Sequence, residues 1–362
     1  MHAVPLLDVV STILPSPTAT SLLQSALWKA PKLQRAWDDW QRSVGSAPEF
    51  LKADGSGLKR LLPLLQHNLQ KEGIVLSPEV GSILRAARAR EELRYASFRR
   101  FGGAGIESIQ AAGIETLILK GAASAAQYYP HPSIRHCHDI DLLIHKEDQD
   151  RIISATIPAG FQHSGPATES GGVRLTHGSG LSIECHTSLF KVPYYPATTE
   201  PLWNRSQASE VLSHSCRIPA ATDMLAHLCG HAPWNPRRQS MNWIADAYLL
   251  LASGEFPWPP FLSTIHEWQI DLPAYAILRY LTKVLHSPIP ESALAELRNA
   301  AARTDGLRKH AAIQGVRSSG NRLSELFRSA SWPSRCALLR FKFLERSAGA
   351  LRTRKSLPGS AG

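Results

Sequence analysis

Hydrophobic residues in the first third of the chain recur at helical spacing. In the segment SLLQSALWKAPKLQRAWDDWQ, leucines, alanines and tryptophans fall three or four positions apart, which is typical of one face of a helix. A second helix is predicted over 57–73, interrupted at Pro63 and ended by Gly73. A third is predicted over 78–112, because Ser77 followed by a proline supplies a cap and a first turn.

The pattern changes near residue 113. A short apolar strand is predicted at 115–120, running directly into a new helix, and a second strand is predicted at 139–144. After another helical stretch, GGVRLTHGSGLSIECHT predicts two strands joined by a Gly-Ser-Gly turn. From about 219 to 300 the pattern is helical again.

These elements predict an α+β protein, with a small mixed-sheet core between helical regions. We divide the chain into an N-terminal helical region (1–112), an α/β core (113–190), a C-terminal helical domain (191–302) and a basic tail (303–362).

Composition places the chain among globular proteins. Of its 362 residues 43% are hydrophobic and 19% charged, and no run of about 18 apolar residues predicts a membrane span. The N-terminus lacks the basic start and cleavage site of a signal peptide. Five cysteines without paired spacing are typical of reduced thiols, so we expect a cytoplasmic protein.

The charge is concentrated at the C-terminal end. Residues 303–362 hold thirteen Lys or Arg and three Asp or Glu, which equals the whole formal net charge of +10. Such a tail suits an anionic partner, which can be a nucleic acid, an acidic peptide or a membrane surface. A solvated tail with no partner is the alternative.

The predicted strand at 139–144 carries two carboxylates, Asp139 and Asp141, on one face, because side chains alternate along a strand. Two such charges repel each other unless a cation lies between them. Carboxylate oxygens suit Mg²⁺, which also takes phosphate oxygens as ligands. Glu184 lies in a later strand with Ser182 and His186 on its face, and is the candidate third carboxylate.

Upstream, LILKGAAS passes from strand through Lys120 and Gly121 into a helix. The free N–H groups of a helix start favour an anion, and the lysine adds a positive charge. A phosphate site beside a carboxylate pair is what phosphoryl or nucleotidyl transfer needs.

The segment AGIETLILKGAASAAQYYPHPSIRHCHDIDLLIHKEDQDR resembles the uncharacterised nucleotidyltransferase family of the polymerase-β-like superfamily. The matching positions are Lys120, Gly121, Ala122, Tyr129, Pro130, Arg135, Asp139, Asp141, Leu142 and Leu143. LKRLLPLL, IECHTSL and DMLAHLCGHAPW…MNWIADAYLLL resemble further parts of that family, so the likeness extends over roughly 20–300.

The resemblance implies an enzyme that moves a nucleoside monophosphate from a nucleoside triphosphate, expected to be ATP, to an acceptor hydroxyl. Two Mg²⁺ ions would be held by Asp139, Asp141 and Glu184, with His186 supporting them. The residues implied to bind the nucleotide are Lys120, Gly121, Ala122 and Arg135. The acceptor is open, and a peptide hydroxyl is one candidate.

The chain departs from the family pattern in three places. His136-Cys137-His138 replaces the usual Pro-Met, the third carboxylate is Glu184 rather than Asp, and Cys185 and Thr187 replace Leu and Trp beside His186. The longer glutamate side chain weakens the assignment of the third metal ligand.

Other interpretations of these residues stay open. A nucleotide- or RNA-binding module without catalysis would use the basic tail, and a kinase-like enzyme would transfer the γ-phosphate from the same phosphate site. A zinc site is disfavoured, because the histidines and cysteines lack paired spacing such as Cys-x2-Cys. Asp246, three residues after Trp243 on a predicted helix, is expected to make a contact between helices.

Overall fold

The computed structural model describes residues 14–52, 57–164, 172–190, 195, 199–234, 242–304 and 336. The predicted basic tail therefore lies outside the described residues, apart from 303, 304 and 336. Within the described chain, no helix is both long and apolar enough to cross a membrane. Among the described residues, none of the five cysteines is in a disulfide.

The N-terminal region is helical, as predicted. Its first helices are α1 Pro17–Leu27, α2 Lys32–Val44, α3 Ala47–Lys52 and α4 Leu62–Lys71. The continuous helix predicted over 21–41 is wrong, because the chain turns extended at Trp28 and α2 begins only after Pro31. Proline lacks the N–H that a helix interior needs, so it divides the segment. For the same reason Pro63 is accommodated in the first turn of α4.

The predicted helix over 78–112 forms as α5 Pro78–Ser97, a π-helical segment Phe98–Gly102 and α6 Gly103–Ala111. The Ser77 hydroxyl accepts a hydrogen bond from the Val80 N–H, as a cap should. Glycines allow this run to lie directly on the sheet. A Cβ added at Gly102 would lie 2.5 Å from Ile140, and one at Gly105 would lie 2.9 Å from Ile183.

One mixed sheet forms the centre of the described chain. Its strands are β1 Thr116–Ile118, β2 Asp139–Ile144, β3 Phe161–His163, β4 Gly172–His177, β5 Ser182–His186, β6 Gln207–Val211 and β7 His214–Ile218. Their order is β3-β4-β5-β2-β1-β7-β6. Strand β2 runs antiparallel to β1 and parallel to β5, and β5 runs antiparallel to β4. The predicted α+β architecture is confirmed.

The sheet continues past residue 190, where the sequence-based division ends the core. The β6–β7 hairpin was not predicted, and β7 adds to the sheet beside β1 by pairing Arg217 with Leu117. Its tight turn places Leu212 and Ser213 at positive φ. Two-residue hairpin turns usually take Asn-Gly or Asp-Gly, so this one lacks the usual sequence signal.

Helices surround this sheet. They are α7 Lys120–Tyr128, α8 Gln149–Thr156, α9 Glu200–Arg205, α10 Ala221–His231, α11 Asn242–Ala252, α12 Trp258–Trp268, α13 Asp271–Leu285 and α14 Glu291–Ala302. Large side chains on both helical regions are fully buried, including Trp37, Trp40, Trp268 and Phe261. Trp37 and Trp40 of the N-terminal region are therefore core residues, whereas Trp28 is partly buried against the core.

The central strands divide into two chemically different faces. Ile140 and Ile183 lie on one face under the π-helical segment and α6, and both are fully buried. Asp139, Asp141 and Glu184 alternate with them and lie on the other face. The fold thus presents the predicted carboxylates on the face opposite α6.

Candidate functional site

The turn from β1 into α7 places a lysine over the sheet. Lys120 has φ of 47°, in the left-handed region that non-glycine residues seldom adopt. Just before it, the Leu119 N–H donates to the Asp141 carbonyl at 2.9 Å, which fixes the turn against β2. The Lys120 Nζ then lies 2.7 Å from the Asp141 Oδ1. Strained backbone of this kind is common at functional sites.

Two carboxylates and a histidine meet beside this lysine. Strands β2 and β5 pair Asp141 with Glu184, so the two side chains are cross-strand neighbours. Ligand atoms of Asp141, Glu184 and His186 all lie within 4.8 Å of one another, and within the described part of the chain this is the one such group of three. The His186 Nε2 lies 2.7 Å from the Asp141 Oδ1. His186 thus belongs to the group itself, whereas the sequence suggested only a supporting role.

Asp139 lies one step along β2 from this group. It is paired with Ser182 of β5 and is half-buried. The His138 Nε2 lies 3.1 Å from its Oδ2. Asp139 therefore shares the face of Asp141 and Glu184, as the alternation predicted, but lies at its more open end.

The electrostatics separate the two aspartates. Burial alone would raise the pKa of Asp141, but the positive charge of Lys120 and the hydrogen bond to His186 hold it well below its usual range. Burial lowers the pKa of Lys120, yet Asp141 outweighs this and raises it. Both residues are therefore charged at neutral pH, and the ammonium shows that a cation fits against Asp141.

For Asp139 the pKa is raised, first by burial and then by the negative charge of Asp141. Lys120 opposes these effects without cancelling them. Two carboxylates in one site typically behave in this way, because the ionisation of one disfavours that of the other. The site thus holds more negative charge than its own cations balance.

Glu184 has a counter-ion on the next strand. Strand β4 pairs Arg174 with Glu184, and the Arg174 Nη2 lies 2.5 Å from the Glu184 Oε1. A row of charged residues therefore crosses three strands, from Arg174 through Glu184 to Asp141. Arg174 was not among the residues predicted to form the site.

Two histidines of α10 lie near the lysine. The pKa of His231 is lowered to about 3, mainly by burial and then by the charge of Lys120. His227 is buried with its ring against that of His231, at 5.8 Å between centroids. Its Nε2 finds no hydrogen-bond partner among the described residues. No zinc-like set of histidines and cysteines is brought together in these parts of the chain.

The start of α7 is closely packed on its other side. A Cβ added at Gly121 would lie 2.7 Å from the Arg135 Nη1 and 3.1 Å from the Cys137 Sγ, so glycine is needed there. The first N–H groups of a helix have no partner within the helix, and at α7 they belong to Gly121 and its neighbour Ala122. These amides lie next to Lys120, where an anion was predicted.

Arg135, predicted to bind the nucleotide, is held by a carboxylate of α11. Its Nε donates to the Asp246 Oδ1 at 3.2 Å and its Nη2 to the Oδ2 at 2.7 Å. The Tyr129 hydroxyl also donates to Asp246, at 2.7 Å. Three residues that match the family are thus joined in one hydrogen-bonded network. Asp246 was expected to contact another helix; in the structure it connects α11 to residues 129–135.

His136, Cys137 and His138, which form the first departure from the family pattern, each have a partner nearby. The His136 Nδ1 lies 2.9 Å from the Glu91 Oε1 on α5, and His138 contacts Asp139. Cys137 lies against Arg135, and burial raises its pKa to about 11. A thiol in that state is not a nucleophile at neutral pH. These residues therefore support the loop that leads into β2.

A cavity of about 310 Å³ lies between α5, α7 and the β6–β7 hairpin. Tyr95, Arg135 and Cys137 are among the residues that line it, and the three carboxylates and Lys120 are not. The carboxylate site is therefore a separate feature on the sheet face.

The donor set of the site suits a hard divalent cation. Asp141 and Glu184 offer carboxylate oxygens within 4.8 Å, and Asp139 adds another at the open end. Mg²⁺ prefers oxygen ligands and is commonly held by one or two carboxylates together with substrate phosphates. The Lys120 ammonium against Asp141 shows that positive charge is stabilised there. The residues therefore fit the predicted metal.

Comparison of the chain with protein-family models identifies the family to which it belongs. A family model described as an uncharacterised nucleotidyltransferase matches residues 58–286, more than half of the chain. The matched region contains the sheet, the carboxylates and Asp246. The resemblance found in the sequence is confirmed. No curated protein sequence matches the chain.

The chain is also similar, at low identity, to parts of two solved structures. The solution structure of the antibiotic-resistance factor ANT(2'')-Ia is 11% identical, with a TM-score of 0.35, over 53% of this chain and 96% of that one. An antigenic nucleotidyltransferase-like protein from Paracoccidioides brasiliensis is 16% identical, with a TM-score of 0.37, over 55% of this chain and 94% of that one. Each likeness covers about half of this chain.

Proposed function

Because the chain belongs to the uncharacterised nucleotidyltransferase family, we propose that it transfers a nucleoside monophosphate from ATP to the hydroxyl of an acceptor, with Mg²⁺ as cofactor. The observation that carries this proposal is the pairing of Asp141 with Glu184 beside the Lys120 turn. This pairing puts carboxylates that would bind a metal next to the start of α7, where Lys120 and backbone N–H groups would bind the phosphates.

The triphosphate would bind at the start of α7. Lys120 and the N–H groups of Gly121 and Ala122 provide positive charge and hydrogen-bond donors. For Lys120 to reach a phosphate its ammonium must turn away from Asp141, which leaves that carboxylate free for a metal. Arg135 is occupied by Asp246, so in our proposal it positions the helix start and the loop before Asp139 instead of contacting phosphate.

Asp139, Asp141 and Glu184 would hold the metal, with His186 fixing Asp141. Bound Mg²⁺ would offset the negative charge of the phosphate oxygens. The acceptor oxygen forms a bond to the α-phosphorus, the bond from this phosphorus to the bridging oxygen breaks, and pyrophosphate leaves. Glu184, nearer the open face than Asp141, would accept the hydroxyl proton.

ATP labelled at either the α- or the γ-phosphate tests this reaction. We expect the α-label to appear on an acceptor or in AMP, with release of pyrophosphate, in the wild type and not in Asp141→Asn. Transfer of the γ-label would instead indicate a kinase. Nucleotide or RNA binding without turnover of either label would indicate a binding module.

A further inference from the structure

The polar face that carries the carboxylates extends well beyond them. Residues paired across the sheet share a face, so the pairings define two polar rows over four strands. The first row runs Gln162, Thr176, Ser182 and Asp139, and the second runs Ser164, Arg174, Glu184 and Asp141. Adjacent strands are about 4.8 Å apart, so the rows reach roughly 14 Å from β2 to β3.

This face is accessible, unlike its reverse. Gln162 and Arg174 are exposed, and Ser164, Thr176 and Ser182 are half-buried. On the reverse, Phe161 and Ile183 are fully buried, and a Cβ added at Gly105 of α6 would lie 2.9 Å from each.

Arg174 gives this surface its charge. It is the cation of the two rows and lies directly beside Glu184, with 46% of its side chain exposed. A guanidinium carries five N–H donors in a planar fork that matches carboxylate and phosphate oxygens. Contact with one Glu184 oxygen leaves donors for a second anion. An ion pair this exposed is also readily exchanged.

We propose that the acceptor lies across this face and is an anionic hydroxyl compound, with its carboxylate or phosphate on Arg174 and its reacting hydroxyl beside Glu184. This inference rests on the proposed function and defines its substrate class. Ser182 offers a hydrogen bond to a further polar group of the acceptor, and Thr176, whose hydroxyl is bonded to that of Ser164, lies opposite it on β4.

Charge complementarity supports this occupant. In the proposed reaction Glu184 turns to the metal, and Arg174 then loses its partner. An acceptor anion restores that pairing at the place where the hydroxyl has to be. The alternative is that Arg174 only neutralises Glu184 while the metal is absent. The two roles differ in what removal of Arg174 does to acceptor binding.

Ligand-observed saturation-transfer NMR tests the proposal without requiring turnover. The probes are glycerol 3-phosphate, glycerate, glycerol and 3-amino-1,2-propanediol, which share a pair of neighbouring hydroxyls and differ in charge. The full-length protein is saturated with Mg²⁺ and α,β-methylene-ATP, so that the nucleotide phosphate site is filled. The variants are Arg174→Gln and Arg174→Lys. The matched control is Arg151→Gln, which removes an exposed arginine paired with Asp148 on another surface.

We expect the two anionic probes to bind the wild type at least about tenfold more tightly than the cationic one, as a charged hydrogen bond would give. Arg174→Gln should remove this preference, Arg174→Lys should retain part of it, and the control should keep it. Preference for one anionic probe over the other identifies phosphate or carboxylate as the group recognised.

Equal binding of all four probes, or an anion preference that survives in Arg174→Gln, would overturn the inference. So would a change confined to Mg²⁺ affinity in Arg174→Gln, since that is the behaviour of a simple counter-ion. Failure of the proposed function is a different result: the α-label assay would show no transfer, whereas the NMR experiment would still report on the anion site.

Discussion

Two ion pairs with buried carboxylates, Arg135 with Asp246 and Lys120 with Asp141, lie on opposite sides of the start of α7. In the first, the two charges balance and the carboxylate accepts three hydrogen bonds from Arg135 and Tyr129. In the second, the lysine is shared among carboxylates, and Asp139 nearby has a raised pKa. The first pair is satisfied, and the second has excess negative charge.

This difference indicates different purposes. A buried pair with every donor and acceptor used costs desolvation but fixes one arrangement, and breaking it leaves an uncompensated charge. A cluster that keeps unbalanced charge lowers its own stability unless a ligand compensates for it. We therefore infer that the Arg135 pair stabilises the fold and that the Lys120 cluster acts in ligand binding and catalysis.

The largest expected effect breaks the balanced pair. Asp246→Asn should lower the free energy of unfolding by about 3–5 kcal/mol, because the Arg135 guanidinium would remain buried without its counter-ion. Urea denaturation monitored by circular dichroism measures this. The control is Asp39→Asn, which removes an exposed partner of Arg42 and should change the free energy by less than about 1 kcal/mol. Equal effects would contradict the comparison.

The second prediction breaks the unbalanced cluster. Asp139→Asn should reduce Mg²⁺-dependent nucleotidyl transfer at least about 100-fold, a loss of the size seen when a group that stabilises the transition state is removed. Without metal the protein should melt at the same or a higher temperature, because a repulsive charge is gone. Transfer assays and thermal melts on the same preparations measure both. Retained activity would exclude Asp139 from the site.

Asp141→Asn is expected to differ in its stability. It should lose activity as well, but it also leaves the Lys120 ammonium without its main partner, 2.7 Å away in the wild type. Unchanged or higher stability without metal is therefore expected for Asp139→Asn and not for Asp141→Asn.

Much of the site could be predicted from the sequence because it depends on local rules. The alternation along a strand places Asp139 and Asp141 on one face, and a Lys-Gly pair after a short apolar strand indicates a helix start near an anion. Glu184 follows from the same alternation in a later strand. None of these inferences requires knowledge of which strands pair.

The rest depends on long-range pairing. Arg135 and Asp246 are 111 positions apart, so nothing in a single sequence indicates that their side chains are in contact. Arg174 can be recognised as a neighbour of the site only once the strand register that pairs it with Glu184 is known. The β6–β7 hairpin was missed because the residues of its turn, Leu212 and Ser213, are not typical of tight turns.

The third prediction concerns how the stability of the metal-free protein depends on pH. The pKa of Asp139 is raised in the folded protein, so the folded state binds a proton that the unfolded chain releases above about 3.9. The metal-free protein therefore loses stability as pH rises from that value through the raised pKa, by at most about 1.4 kcal/mol per pH unit. Melting temperatures from pH 4 to 8 should show this decline in the wild type and a weaker one in Asp139→Asn. Parallel curves for the two proteins would argue against a charged cluster.

The smallest expected effect concerns the tyrosine of the balanced pair. Tyr129→Phe removes one hydrogen bond to Asp246 and leaves the Arg135 contacts in place. Stability should fall by about 1 kcal/mol, the usual net contribution of a hydrogen bond, or somewhat more because the acceptor is charged. The rate of nucleotidyl transfer should not change at a temperature where the variant is folded, since Tyr129 contacts the Arg135–Asp246 pair and not the carboxylate site. Urea denaturation together with the α-label assay separates the two quantities. A marked loss of transfer without loss of stability would mean that the Arg135 pair acts in the reaction, and that the division between the two pairs is wrong.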